Sequence, residues 1–130
     1  MKQLIVGLSL LLISFQSISA QSLPKYFGNG LCKHPDFHCI KSPVNGWEKA
    51  FPDPIQRDII QKVNRTYNSL WRGKTLAIPN NIENITLLDV SPFPLSQANI
   101  GEKKIIVDQE KLAWAAYDEE GMQVRWGPIS

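Results

Sequence analysis

Apolar residues recur at two different periods along this chain, and the change of period divides it into segments. Ile55, Ile59, Ile60 and Val63 share one face at helical spacing, and Asp58 and Lys62 stand four residues apart on the other side. Asp53 is placed as an N-cap, Pro54 fits the first helical position, and Gln56 sits where a capping box needs it. The pattern predicts a helix ending near Asn64 or Arg65. "RTYNSLWRGK" reads as a loop with a turn at Gly73, and "TLAIP" as a short strand stopped by Pro79. Beyond Lys103 the period shortens. "KKIIVD" is apolar in its middle, "KLAWAAYD" puts Leu112, Trp114 and Ala116 on one face, and "MQVRWGPI" does the same for Met122, Val124 and Trp126. "DEEG" is a turn in which Gly121 takes a positive φ. These three runs predict an antiparallel meander.

The segments between are less regular. "ITLLDV" is a candidate strand. "SPFPLSQAN" cannot be a central strand, because Pro92 and Pro94 remove ladder donors, so residues 81–101 read as a linker between two units. Residues 21–43 are rich in Gly, Pro, Lys and His and have no clear period; they read as an irregular, cysteine-containing segment. A sheet of two or three strands needs a covered face. Without the rest of a domain to cover it, the meander is expected to expose Trp114, Val124 and Trp126, to be poorly ordered or sticky, and to offer open edges for strand-mediated self-association. The fold class is α+β: a small helix-and-strand unit at 44–80, then an incomplete antiparallel meander at 102–130.

Composition adds a compartment rather than a chemistry. The 130 residues are 43% hydrophobic and 20% charged with a net charge of +2, too weakly basic for a nucleic-acid face of clustered Lys and Arg. Residues 1–20 carry a positive start at Lys2, an apolar run from Leu4 to Phe15 and a small-residue exit, "SISA". That is the pattern of a secretory signal peptide, cleaved near Ala20; the alternative is an uncleaved N-terminal anchor. The apolar run falls short of the roughly 20 residues a membrane span needs, and no cysteine follows the exit to carry a lipid. The expected location is periplasmic or secreted, with no transmembrane anchor after cleavage.

Cys32 and Cys39 are the only cysteines. An even count in an exported chain favours a disulfide. The competing reading is zinc held by Cys32, His34, His38 and Cys39, although four ligands within eight residues match no familiar structural-zinc spacing. A Cys nucleophile with His34 or His38 as base would sit on a short loop with no visible oxyanion hole. Glu119 and Glu120 fall in a turn, where solvation accounts for them. Trp114 and Trp126 alternate along strands and read as core. Trp47 and Trp71 flank the helix and either line a glycan groove or pack against Ile59 and Val63. No cofactor is implied.

The stretch "GWEKAFPDPIQRDIIQKVNRTYNSLWRGKTLAIP" resembles a LysM module, a family with a βααβ layout. Asn64, Leu70, Gly73, Leu76, Ile78 and Pro79 stand where that family has an Asn near a helix end, a leucine, a Gly turn and a closing "L-x-IP" strand. The family's Gly-Asp-Thr opening is absent, and the first strand is hard to see. "IIVDQEKLAWAAYDEEGMQVRWGPIS" resembles the first strands of the L,D-transpeptidase catalytic domain of the YkuD type. With the signal peptide and "LLDVSPFP", the whole looks most like the enhanced-entry protein group of exported L,D-transpeptidase-like proteins. The resemblance implies association with peptidoglycan, with Trp47, Asn64 and Trp71 as candidate glycan contacts. In that family the chemistry belongs to a His and an "S-H-G-C-x-R" motif, whose Cys thiolate attacks a stem-peptide carbonyl with His as its base. This sequence has no such motif, and none of its Cys or His residues can be carried over as catalytic. The chain is expected to stop where the catalytic domain begins and to lack transpeptidase activity. Two other readings stand beside this one: a non-enzymatic surface protein that pairs strands with a partner, and a small secreted metal-binding module.

Overall fold

A computed structural model describes residues 27–98 and 101–129; the expected signal sequence lies outside them. Among the described residues there are two helices, α1 (Trp47–Ala50) and α2 (Pro54–Val63), and two antiparallel sheets. One sheet pairs β1 (Phe37–Lys41) with β2 (Thr75–Pro79). The other has the order β3 (Lys104–Asp108), β4 (Ala113–Tyr117), β5 (Gln123–Pro128). The α+β class and the meander match the expectation.

Helix α2 starts where its residues say it should. The Asp53 carboxylate accepts the N–H groups of Ile55 and Gln56 at 2.8 and 3.1 Å, using two of the donors that a helix start leaves unpaired. Ile59, Ile60 and Val63 are buried, but Ile55 is 70% exposed. It lies in the first turn of α2, one turn before the buried Ile59.

Strand β1 lies in the segment expected to be irregular. It is five residues long and tied down from both sides. The Cys32–Cys39 disulfide fastens it to the 3-10 turn Gly28–Leu31, and its register sets Cys39 opposite Ala77 and Ile40 opposite Leu76. The order from 37 to 79 is therefore β–α–α–β. Both faces of this two-stranded sheet are covered. Leu76 and Ile78 pack with Ile60 and Leu70, while Phe37 and Ala77 join a larger core with Ile59 and Val63.

That larger core also takes in the meander: Ala113, Ala115, Tyr117 and Trp126 are part of it. On β4 the buried face is thus that of Ala113, Ala115 and Tyr117, opposite to Trp114 and Ala116, and the two alanines let the sheet approach closely. On β5 a bulge sets Gln123 opposite Tyr117 but Arg125 opposite Ala116. The extra residue, Val124, shifts the alternation by one. Gln123 and Trp126 both turn inward, and Val124 is 56% exposed. Trp126 is fully buried rather than exposed, and its indole N–H donates to the Leu87 carbonyl at 2.8 Å.

The expected linker is part of the same core. "ITLLDV" forms no strand; Leu87–Val90 is a 3-10 turn closed by Thr86 and Asp89, whose carboxylate accepts the Thr86 N–H at 2.7 Å. Val90, Ser91 and Phe93 are buried. Ser91 Oγ donates to Gln123 Oε1 at 2.7 Å, and Gln123 Nε2 and Tyr117 Oη both donate to the Pro94 carbonyl, at 3.0 and 2.6 Å. Burial pushes the Tyr117 phenol up. The prolines keep "SPFP" out of a ladder, as expected, yet Ser96 forms an antiparallel bridge with Met122.

Arg65 joins the two units. Its Nε donates to the Lys111 carbonyl at 2.9 Å and its Nη1 to the Lys62 carbonyl at 2.8 Å. The guanidinium lies 5.0 Å from the ring centre of Phe27 and 5.1 Å from that of Trp126, within cation–π range. Burial lowers its pKa to about 10, which leaves the charge in place at neutral pH.

Candidate functional site

Of the three expected glycan contacts, one is engaged entirely in backbone hydrogen bonds. Asn64 caps α2, and its amide nitrogen donates to the carbonyls of Ile60 (2.8 Å) and Ala77 (2.9 Å). Its side-chain oxygen accepts the Ala77 N–H at 2.9 Å. The side chain thus pairs with Ala77 as a neighbouring strand would, on the far side from β1, and both amide donors are used.

Trp47 and Trp71 lie on two loops that are stitched together. Gly46 N–H donates to the Leu70 carbonyl (2.8 Å), Gly73 N–H to the Ser42 carbonyl (2.8 Å) and Arg72 N–H to Asn45 Oδ1 (2.7 Å). The Trp47 indole N–H is taken by the Asn68 carbonyl at 2.7 Å, and the ring leans on Phe51 with centroids 6.1 Å apart. Trp47 is a packing residue with one edge in water. Trp71 is 55% exposed and has Lys74 Nζ over its ring, 4.4 Å from the centre.

The cysteines and histidines are placed structurally. The disulfide removes both thiolates from any donor set. His34 Nδ1 accepts the Asp36 N–H at 3.1 Å, and its ring meets Phe37 edge-on. His38 Nδ1 lies 2.7 Å from Asn80 Oδ1. Among the described residues no group of three or more His, Cys, Asp or Glu side chains is placed to hold a metal ion.

A different surface has the better shape. Between α2 and β5 runs a groove of about 450 Å³ lined by Asp58, Lys62, Tyr67, Trp114, Arg125 and Gly127, among others. Trp114 reaches it across Gly127: a Cβ on that glycine would stand 3.0 Å from the indole nitrogen and 3.2 Å from two ring carbons. The indole therefore lies against bare backbone at the β5 side of the sheet. Tyr67, from the loop after α2, is 54% exposed. Lys62 and Asp58 pair at 2.7 Å on the helix side, and Arg125 is exposed on the strand side. Two aromatic faces with charged groups around them suit a ligand that is partly apolar and partly hydroxylated or anionic. Sequence reading assigned Trp114 to the core and passed over Tyr67 and Arg125. The one local signal was Gly127, a residue without a side chain directly opposite Trp114 on the neighbouring strand.

No helix among the described residues is long and apolar enough to cross a membrane. A comparison of the chain with protein-family models, with characterised proteins and with solved structures finds no match. The described residues define a small disulfide-linked α+β protein built on two few-stranded antiparallel sheets.

Proposed function

We propose that this is an exported protein that binds the glycan of peptidoglycan, and that it does so through the groove between α2 and β5. The observation that carries this is the pairing of Tyr67 and Trp114 in one concave site with Lys62, Asp58 and Arg125 around them. Sugar rings present apolar C–H faces to aromatic rings and hydroxyls to charged groups. The β–α–α–β order of residues 37–79 and the disulfide support the same reading: the first is the layout of the resembled LysM family, the second suits an oxidising compartment. Both sulfurs are held in the disulfide, so the reading is one of binding and not of thiolate catalysis.

The test is co-sedimentation with purified sacculi. Tyr67→Ala alters an exposed ring and is expected to weaken binding roughly fivefold or more, the loss typical of a contact worth over 1 kcal/mol. Trp71→Ala is expected to bind as the unaltered chain does. Binding lost with Trp71→Ala but kept with Tyr67→Ala would move the site to the stitched loops. A chain that never sediments with sacculi would end the proposal.

A further inference from the structure

The outer edge of β3 is unpaired by any strand among the described residues, whereas the start of β5 is covered. Leu95 accepts the Gln123 N–H at 2.8 Å, and Gln97 donates to the Gly121 carbonyl at 2.8 Å. Edge strands left open are templates for another strand. The sequence of this one, Lys104-Ile-Ile-Val-Asp108, is complementary to itself when run antiparallel.

We infer that two copies of the chain pair through β3, two-fold related about Ile106, to make one continuous six-stranded sheet. The register follows from the faces. Lys104, Ile106 and Asp108 lie opposite Tyr117, Ala115 and Ala113 of β4, on the core side. Ile105 and Val107 point outward and are 67% and 59% exposed. With Ile106 facing its own copy, Lys104 of each chain meets Asp108 of the other, twice. Ile105 meets Val107, also twice, and the outer apolar rows of the two sheets become continuous. Moving the register by two residues sets Lys104 or Asp108 against Ile106, and moving it by one reverses every face. Asp108 keeps its place in the β3–β4 turn, where Oδ1 accepts the N–H groups of Glu110 (2.8 Å) and Lys111 (3.2 Å). Its Oδ2, 3.5 Å from Lys111 Nζ, remains able to accept from a second cation. A single lysine on an edge usually deters pairing; here each strand also carries the carboxylate that the opposing lysine meets. The contact is isologous and closes at two copies. Five residues a side make a small interface, so the dimer belongs to the weak, reversible class.

The experiment is register-specific cross-linking of the full chain with its native disulfide intact. Ile105→Cys and Val107→Cys are prepared separately; both sites are exposed, so neither change disturbs packing. Under mild oxidation, the mixture is expected to give a covalent dimer and each variant alone to give far less. Cross-linking of Ile105→Cys with itself as efficiently as in the mixture, or no cross-linking in the mixture, would overturn the proposal. Sedimentation at chain concentrations up to about 1 mM supplies the second arm. Lys104→Glu sets like charges opposite one another at both ends, and it is expected to weaken the dimer about tenfold or more. A dimer indifferent to Lys104→Glu, or a monomer throughout, would refute the pairing.

Discussion

Replacing Trp126 by alanine tests whether the chain is one cooperative unit or a module with an attached tail. Trp126 is fully exposed to no solvent, sits in one core with Phe37, Ile59, Val63 and Phe93, and holds the Leu87 carbonyl. Its side chain removes about 150–250 Å² from water, worth roughly 4–6 kcal/mol at about 25 cal/mol per Å². Measured truncations of buried Phe and Trp cost about 3–5 kcal/mol, cavity included, and the two figures agree. A chain of this size has only about 5–15 kcal/mol of stability in total. Trp126→Ala should therefore lose a large part of it and lower Tm by some 4–8 °C for each kcal/mol. Urea unfolding followed by tyrosine and tryptophan fluorescence gives the loss, and native-state amide exchange gives its location. A shared core requires that protection fall at Val63 of α2 and Ala77 of β2 as well as at Ala115 of β4. Trp126→Phe keeps most of the area and leaves the Leu87 carbonyl unpaired, so it should cost about 1–3 kcal/mol. If Trp126→Ala releases only β3–β5 and leaves β2 protection unchanged, the two parts fold independently and the single-core account fails.

Asn64→Ala removes three hydrogen bonds to backbone and strands the N–H and C=O of Ala77, a fully buried residue. It should destabilise the chain by about 2–4 kcal/mol in urea titration; a loss below about 0.5 kcal/mol would mean that water replaces the amide. Asp108 has a pKa held below the ordinary carboxylate value, first by the Lys111 N–H, then by that of Glu110 and the Lys111 charge. A carboxyl lowered on folding stabilises the folded state above its unfolded pKa, and that contribution disappears as pH falls through the folded value. NMR titration of the Glu110 and Lys111 amides should therefore show a transition below the ordinary carboxylate pKa, absent in Asp108→Asn. A midpoint at or above that value would contradict the turn geometry.

Local signals were readable and non-local ones were not. Helix α2 was legible because its cap, its first proline and its apolar spacing lie within a dozen residues. Ile55 was misassigned because periodicity gives a helix face and not what packs against each residue of it. Strand β1 was missed because its five residues, "FHCIK", carry too short an alternation, and its order comes from β2 and the disulfide. "ITLLDV" has strand-like residues, but Thr86 and Asp89 offer the backbone a tighter closure than a ladder does. The inward face of β5 depends on one inserted residue, Val124, which no two-residue period can reveal. The groove was invisible for a related reason: Tyr67 and Trp114 are far apart in the chain, and only the docking of the meander on α2 brings them to one site.

The spread of the core along the chain has a consequence for order of synthesis. Leu31 and Trp126 share one apolar interior, so a chain emerging amino end first cannot close that interior until Trp126 has arrived. Before then Ile59, Val63 and Phe37 lack their largest neighbour, and such transient surfaces attract holding proteins and unwanted contacts. Under the export proposed above, this delay would be useful, because a chain that cannot close its core before Trp126 has passed stays threadable until then.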